Sequence, residues 1–120
     1  MPRFPAEWEP HEATWFSWPH RAGKSFPGAW TARAGEELAA AVRVVAEGEQ
    51  VWINVCDDDH EAEARQHLGD IADSSQLRFL RIPTDEPWCR DHGATFLIDD
   101  DGGLAAVDWT YNACLLYTSD

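Results

Sequence analysis

Three features of the chain predict an α/β fold. Short β-branched and aromatic runs alternate with longer segments of helical period, in the order β-α-β-α-β. Glycine and proline fall between those segments, where turns are needed. Two further apolar runs flank an Asp-Asp-Gly-Gly turn over 100–103, which predicts a closing hairpin that a simple doubly wound fold would not contain.

The elements follow in order. Residues 5–12 read as loop, and 13–18 as a short strand between Pro10 and Pro19. Gly23, Pro27 and Gly28 keep 21–29 irregular. Thr31 is the expected cap of a helix running to about Glu47, with Leu38, Val42 and Val45 on one face and Arg33, Glu37, Arg43 and Glu47 on another; Gly48 is placed to stop it. In 50–56, Val51, Ile53 and Val55 alternate with Trp52, as in a strand. A second, shorter helix is expected from Asp58, its cap, to near Gly69, with Glu61 reaching back as in a capping box. Residues 77–82, 95–99 and 104–109 complete the strands.

Composition bounds the function. With 44% hydrophobic and 26% charged residues in a chain of 120, the protein is globular and long enough for one core. A net charge of −13 argues against nucleic acid and anionic membrane as partners and is compatible with a small cationic one. No apolar run approaches a membrane span, and Met1-Pro2-Arg3-Phe4 lacks the hydrophobic block of a signal peptide. Three widely spaced cysteines suggest reduced thiols and a cytoplasmic setting. Asp57-Asp58-Asp59-His60 could suggest a metal site, but acids at a helix start are far commoner.

The densest chemistry lies in Asp85-Glu86-Pro87-Trp88-Cys89-Arg90-Asp91-His92-Gly93-Ala94-Thr95-Phe96. Pro87 disfavours helix at Glu86, and Gly93 permits a backbone angle few residues tolerate, so the segment should enter a strand as extended chain or turn. On the residues alone two readings stay open. One is a ligand site of carboxylates beside an aromatic; the other is an ion-paired strand entry in which Arg90 holds neighbouring acids.

Three ordered blocks carry a resemblance. They are Pro5-Ala6-Glu7-Trp8-Glu9-Pro10-His11-Glu12-Ala13-Thr14-Trp15 with Trp18-Pro19, then Trp88-Cys89-Arg90-Asp91-His92-Gly93-Ala94-Thr95, then Ala106-Val107-Asp108-Trp109 with Asn112-Ala113. Over 5–113 the chain resembles agmatine deiminases and the related bacterial-type peptidylarginine deiminases. It departs from their pattern at Ala94, where proline is usual, and after Ala113, where Trp-Gly-Gly is usual.

The resemblance implies a five-bladed α/β propeller, the pentein fold, with this chain as its first blade and the start of the second. Such a piece would lack the neighbours that bury its faces. It also implies hydrolysis of a guanidinium by a cysteine thiolate and a general-acid histidine, both beyond this stretch, with no metal and no cofactor. Asp91 is then the catalytic carboxylate that holds the guanidinium, Trp88 a wall of the substrate pocket, and Arg90 and Gly93 supports of the loop. The partner is a small cationic guanidino compound, and a homo-oligomer is left open at full length. Agmatine is the leading substrate; arginine in peptides, or a non-catalytic guanidinium binder, are the alternatives.

A tension accompanies this. In a regular strand Trp88 and Asp91 would point to opposite faces, so the implied pocket requires a bend between them. The same spacing argues against a Cys89–His92 catalytic pair, leaving Cys89 a small buried residue. Trp8, Trp15 and Trp18 are expected to pack the blade, with Trp8 alternatively near the pocket mouth. Cys114-Leu115-Leu116-Tyr117-Thr118-Ser119-Asp120 matches one reading frame of a common transposon-based sequencing adapter. Residues 114–120 are therefore set apart as a non-native tail, with native sequence ending at Ala113.

Overall fold

The computed structural model describes residues 1–111, so the expectations for 112–120, including a non-native tail over 114–120, lie outside the described residues. The described residues form two compact units, one of residues 12–87 and the other of 1–11 with 88–111.

The 12–87 unit follows the expected β-α-β-α-β order. Strands β1 (Ala13–Ser17), β2 (Gln50–Val55) and β3 (Leu77–Arg81) form a parallel sheet in the order β1-β2-β3. Helices α1 (Ala29–Ala46) and α2 (Asp58–Leu68) pack on each other and both touch β2, so they share one face of the sheet. Alternation in β2 sends Val51, Ile53 and Val55 into that face, where each is fully buried. Val42 and Ala39 of α1, Ala64 and Leu68 of α2, and Trp18 after β1 complete the core. Leu38 and Val45 lie partly buried against it, as their spacing suggests. On the opposite face Trp15, Trp52 and Arg78 form one rung across all three strands. The two indoles lie 5.8 Å apart and the Arg78 guanidinium sits 5.6 Å from the Trp52 ring.

Several boundaries differ from expectation. Helix α1 begins two residues before Thr31, with Gly28 as its cap; Thr31 is buried, and its hydroxyl donates to the Phe26 carbonyl. Asp57, one residue earlier than expected, caps α2 by accepting the His60 N–H at 2.8 Å. Glu61 makes no capping box: it accepts from Arg65 at 2.8 Å and pairs with Arg81 at 2.5 Å. Gly69 does end α2, at φ 57, a conformation glycine adopts without steric cost. Among the described residues no helix is long and apolar enough to cross a membrane.

The second unit holds α3 (Cys89–His92) and an antiparallel hairpin of β4 (Thr95–Ile98) and β5 (Leu104–Val107). The expected hairpin is therefore present, as a sheet of its own. The N-terminal segment joins it, because Arg3 and Ile98 exchange both backbone hydrogen bonds, at 2.8 and 2.9 Å.

Candidate functional site

The motif does not enter its strand as extended chain. Residues 89–92 close a single helical turn, α3, capped by Trp88. The Trp88 carbonyl accepts the N–H groups of Asp91 (3.0 Å) and His92 (3.1 Å), and the Cys89 carbonyl accepts that of Gly93 (2.8 Å). Pro87 suits this entry, since it restricts the residue before it and itself has a fixed φ. Four residues give too little periodicity for a helix to be legible in sequence.

This turn bends the chain between Trp88 and Asp91. Trp88 is the non-helical cap of α3, at φ −80° and ψ 63°, and Asp91 lies within it, so the alternation of a regular strand does not apply to the pair. The same geometry removes the spacing argument against a Cys89–His92 pair. The nucleophile's absence from this stretch therefore rests on the family resemblance alone. Cys89 is half-buried, and the His92 ring meets Tyr111 edge-on at 5.9 Å.

Gly93 is needed for a reason other than its backbone angle. Its φ is −74°, open to any residue, but a Cβ there would lie 2.5 Å from the Cys89 carbonyl oxygen. The close approach that seals the turn is what excludes a side chain.

Arg90 resolves the ion-paired reading. Its guanidinium pairs with Glu7, far away in sequence, and the hydrogen bond and charge of Glu7 hold the Arg90 pKa above its usual value. Among the described residues the Asp91 carboxylate is exposed and makes no hydrogen bond or ion pair. A carboxylate left in this state can accept a fork of donors from a planar cation. Trp88, three residues earlier, is half-buried. Glu7 was not legible as the Arg90 partner, because nothing local in either segment signals the pairing.

The remaining candidates sort themselves by their contacts. Trp18 packs the core at 2% exposure, Trp15 is 40% exposed on its rung, and Trp8 is 88% exposed, so Trp8 does not pack a core in this chain. His20 and His60 meet edge-on at 5.2 Å and bond backbone groups, which is a structural role. In the acidic cluster Asp57 caps α2 and Asp58 pairs with Arg81. Among the described residues no group of three or more His, Cys, Asp or Glu side chains is arranged to hold a metal. A cavity of about 640 Å³ in the first unit, bordered by Trp18, Arg21, Glu63 and His67, includes none of the motif residues.

A mixed α/β chain with an exposed carboxylate close in sequence to an indole defines the class of candidate: an α/β protein with an open acidic side chain on a short helical turn. The sequence matches the Porphyromonas-type peptidyl-arginine deiminase family over residues 3–117, and the chain belongs to that family. Among its relatives, the agmatine deiminase of Stutzerimonas stutzeri is 42% identical over 111 residues, covering 91% of this chain and 28% of the relative. That of Pseudomonas aeruginosa is 40% identical, covering 92% and 28%. The chain thus spans under a third of these relatives' length.

Solved structures agree on the fold. C. jejuni agmatine deiminase superposes with a TM-score of 0.77 at 24% identity, covering 97% of this chain and 33% of that one. A cysteine-to-serine variant of the C. jejuni enzyme with substrate bound gives 0.73 at 27% identity, covering 94% and 31%.

Proposed function

We propose that this chain carries the guanidinium-holding part of an agmatine deiminase, which hydrolyses agmatine to N-carbamoylputrescine and ammonia. The observation that carries the reading is the exposed carboxylate of Asp91, unpaired among the described residues and three residues from Trp88, in a chain 42% identical to an agmatine deiminase. Asp91 accepts two N–H groups of the guanidinium and fixes its plane. Trp88 lies along the cation, a contact worth about 0.5–2 kcal/mol depending on desolvation. Arg90 and Gly93 keep the turn in place, the first through Glu7 and the second by its missing side chain.

The bond-making groups lie elsewhere in the full-length polypeptide. A cysteine thiolate adds to the guanidinium carbon, ammonia leaves with a proton from a histidine, and a thiouronium forms on sulfur. Water then adds to the same carbon, the C–S bond breaks, and the ureido product departs as the thiol is restored. On this reading the fold is a five-bladed propeller, the setting is cytoplasmic and the substrate is a small guanidino cation.

Asp91→Asn in the full-length enzyme tests the assignment. The variant keeps the size of the side chain and one acceptor oxygen but loses the negative charge and one of the two hydrogen bonds from the guanidinium, about 1.5–3 kcal/mol, so kcat/KM should fall at least about tenfold. Ammonia release from agmatine is the assay, with thermal unfolding as the control. Turnover near that of the wild type would defeat the assignment. Because the family is described by peptidyl-arginine deimination, an arginine-containing peptide belongs in the same assay. Faster turnover of the peptide than of agmatine would reassign the substrate and leave Asp91 in its role.

A further inference from the structure

We propose that Glu7 is a positioning residue for this reaction, and that it works by holding the Arg90 side chain away from Asp91, so that the Asp91 carboxylate stays open to a guanidinium from outside the chain. The inference rests on the reading of Asp91 as the guanidinium-holding carboxylate.

Arg90 is the immediate neighbour of Asp91 and carries the head group that Asp91 is to receive: planar, always charged and a fork of N–H donors. The Arg90 guanidinium and that of a substrate are therefore competitors for one carboxylate. Adjacent side chains on a helical turn leave the axis about 100° apart, but an arginine stem is long enough to fold back across that angle. Two carboxylates raise the pKa of the Arg90 guanidinium, Glu7 by its hydrogen bond and charge and Asp91 by charge alone. The hydrogen bond goes to Glu7, and Asp91 is left exposed. With Glu7 gone, Asp91 is the carboxylate that remains to draw Arg90.

The segment that carries Glu7 is itself fixed. Arg3 exchanges two backbone hydrogen bonds with Ile98 of the hairpin, and its guanidinium donates to both oxygens of Glu9, at 2.8 and 2.9 Å. The Ala6 carbonyl accepts the Glu9 N–H at 3.0 Å, and the Glu9 carboxylate accepts the Ala6 N–H at 3.1 Å, which closes a turn over 6–9. Glu7 is the second residue of that turn, so its backbone is tied to the hairpin that follows α3. The Arg90 and Glu7 side chains are 83% and 69% exposed, and an ion pair so open to water contributes modestly to stability. Its stronger consequence is the direction it gives Arg90. An Arg90 guanidinium released from Glu7 spends part of its time on Asp91, and substrate binds only to the fraction left open. KM rises by the inverse of that fraction. A saturating substrate displaces Arg90 and meets the same reacting groups, so kcat is preserved.

The test is a set of variants in the full-length enzyme, assayed for ammonia release from agmatine at about 0.15 M salt, where the loss of one exposed charge is largely screened. Glu7→Gln should raise KM about fivefold and change kcat by no more than about twofold, with little change in thermal midpoint. Removing the competitor as well should reverse the effect, so Glu7→Gln combined with Arg90→Met should have a KM at least about threefold below that of Glu7→Gln alone. A wild-type KM for Glu7→Gln overturns the proposal. So does a double variant whose KM equals or exceeds that of Glu7→Gln, which would mean that the pair only holds the turn. A fall in kcat at unchanged KM overturns it as well. Asp91→Asn is measured alongside: if it loses activity while Glu7→Gln behaves as wild type, only the role of Glu7 is refuted. If Asp91→Asn turns over agmatine as the wild type does, the functional reading itself has failed and Glu7 has no site to keep open.

Discussion

His60 shows how a single side chain can be decided by contacts that its own segment does not announce. The ring is 6% exposed and sits between two backbone groups: the Cys56 N–H reaches Nδ1 at 3.0 Å, and Nε2 lies 3.1 Å from the Pro19 carbonyl. A neutral imidazole with one acceptor and one donor satisfies both, and so ties the ends of β1 and β2 to the start of α2. Phenylalanine would fill the space but leave both backbone groups unpaired. His60→Phe should therefore cost about 2–4 kcal/mol, read as a lower denaturant midpoint at unchanged slope. A loss under about 0.5 kcal/mol would show that water replaces the ring's bonds. In sequence this residue reads only as the tail of an acidic cluster, because its partner at Pro19 is remote. Gly93 is the complementary case. The need for glycine is legible there, yet its cause is a carbonyl brought close by a turn that no periodic pattern marks.

At the scale of elements, periodicity carried most of the information. Alternating Val51, Ile53 and Val55, and Leu38, Val42 and Val45 at helical spacing, place β2 and α1 correctly because one face of each is buried. Caps were less legible. Asp57, Asp58 and Asp59 can each cap a helix, and the exit of β2 selects the first. Glu61 is then freed from the cap and becomes the hub between α2 and β3, bonded to Arg65 and Arg81. Desolvation acts to raise the pKa of its carboxyl, but the hydrogen bonds and charges of the two guanidinium groups outweigh that and hold it below its ordinary value. Folding thus favours the ionised form, so the stabilisation is present above the unfolded pKa and disappears as pH falls through the lower, folded one. Glu61→Gln should be less stable than the wild type by about 1 kcal/mol near neutrality. The two should converge below about pH 4. Unfolding midpoints at several pH values check this, and a constant gap down to low pH would contradict it.

For the molecule as a whole, the two units differ in what holds each of them. Among the described residues every buried core residue belongs to 12–87, where two helices cover one face of a parallel sheet. Among the described residues of the other unit none is buried to that degree, and Phe4, Leu104 and Trp109 are each more than 60% exposed. That unit depends on its hairpin ladder, the Arg3–Ile98 bridge, the Arg90–Glu7 pair and a bond from Trp109 Nε1–H to Thr95 Oγ1 at 3.0 Å. Its assembly from both ends of the chain could not be read from sequence, since neither segment carries a periodic face that demands the other. Backbone hydrogen bonds without apolar cover open at low free energy, whereas those of β2 open only when the core is disrupted. Hydrogen exchange on the 120-residue chain should therefore leave the β2 amides of Val51, Ile53 and Val55 the slowest. Amides of β4 and β5 should exchange at least about a hundredfold faster, a difference of roughly 3 kcal/mol in opening free energy. Exchange of both sheets at one common rate would mean that they open together, and that burial in 12–87 stabilises the hairpin as much as its own sheet.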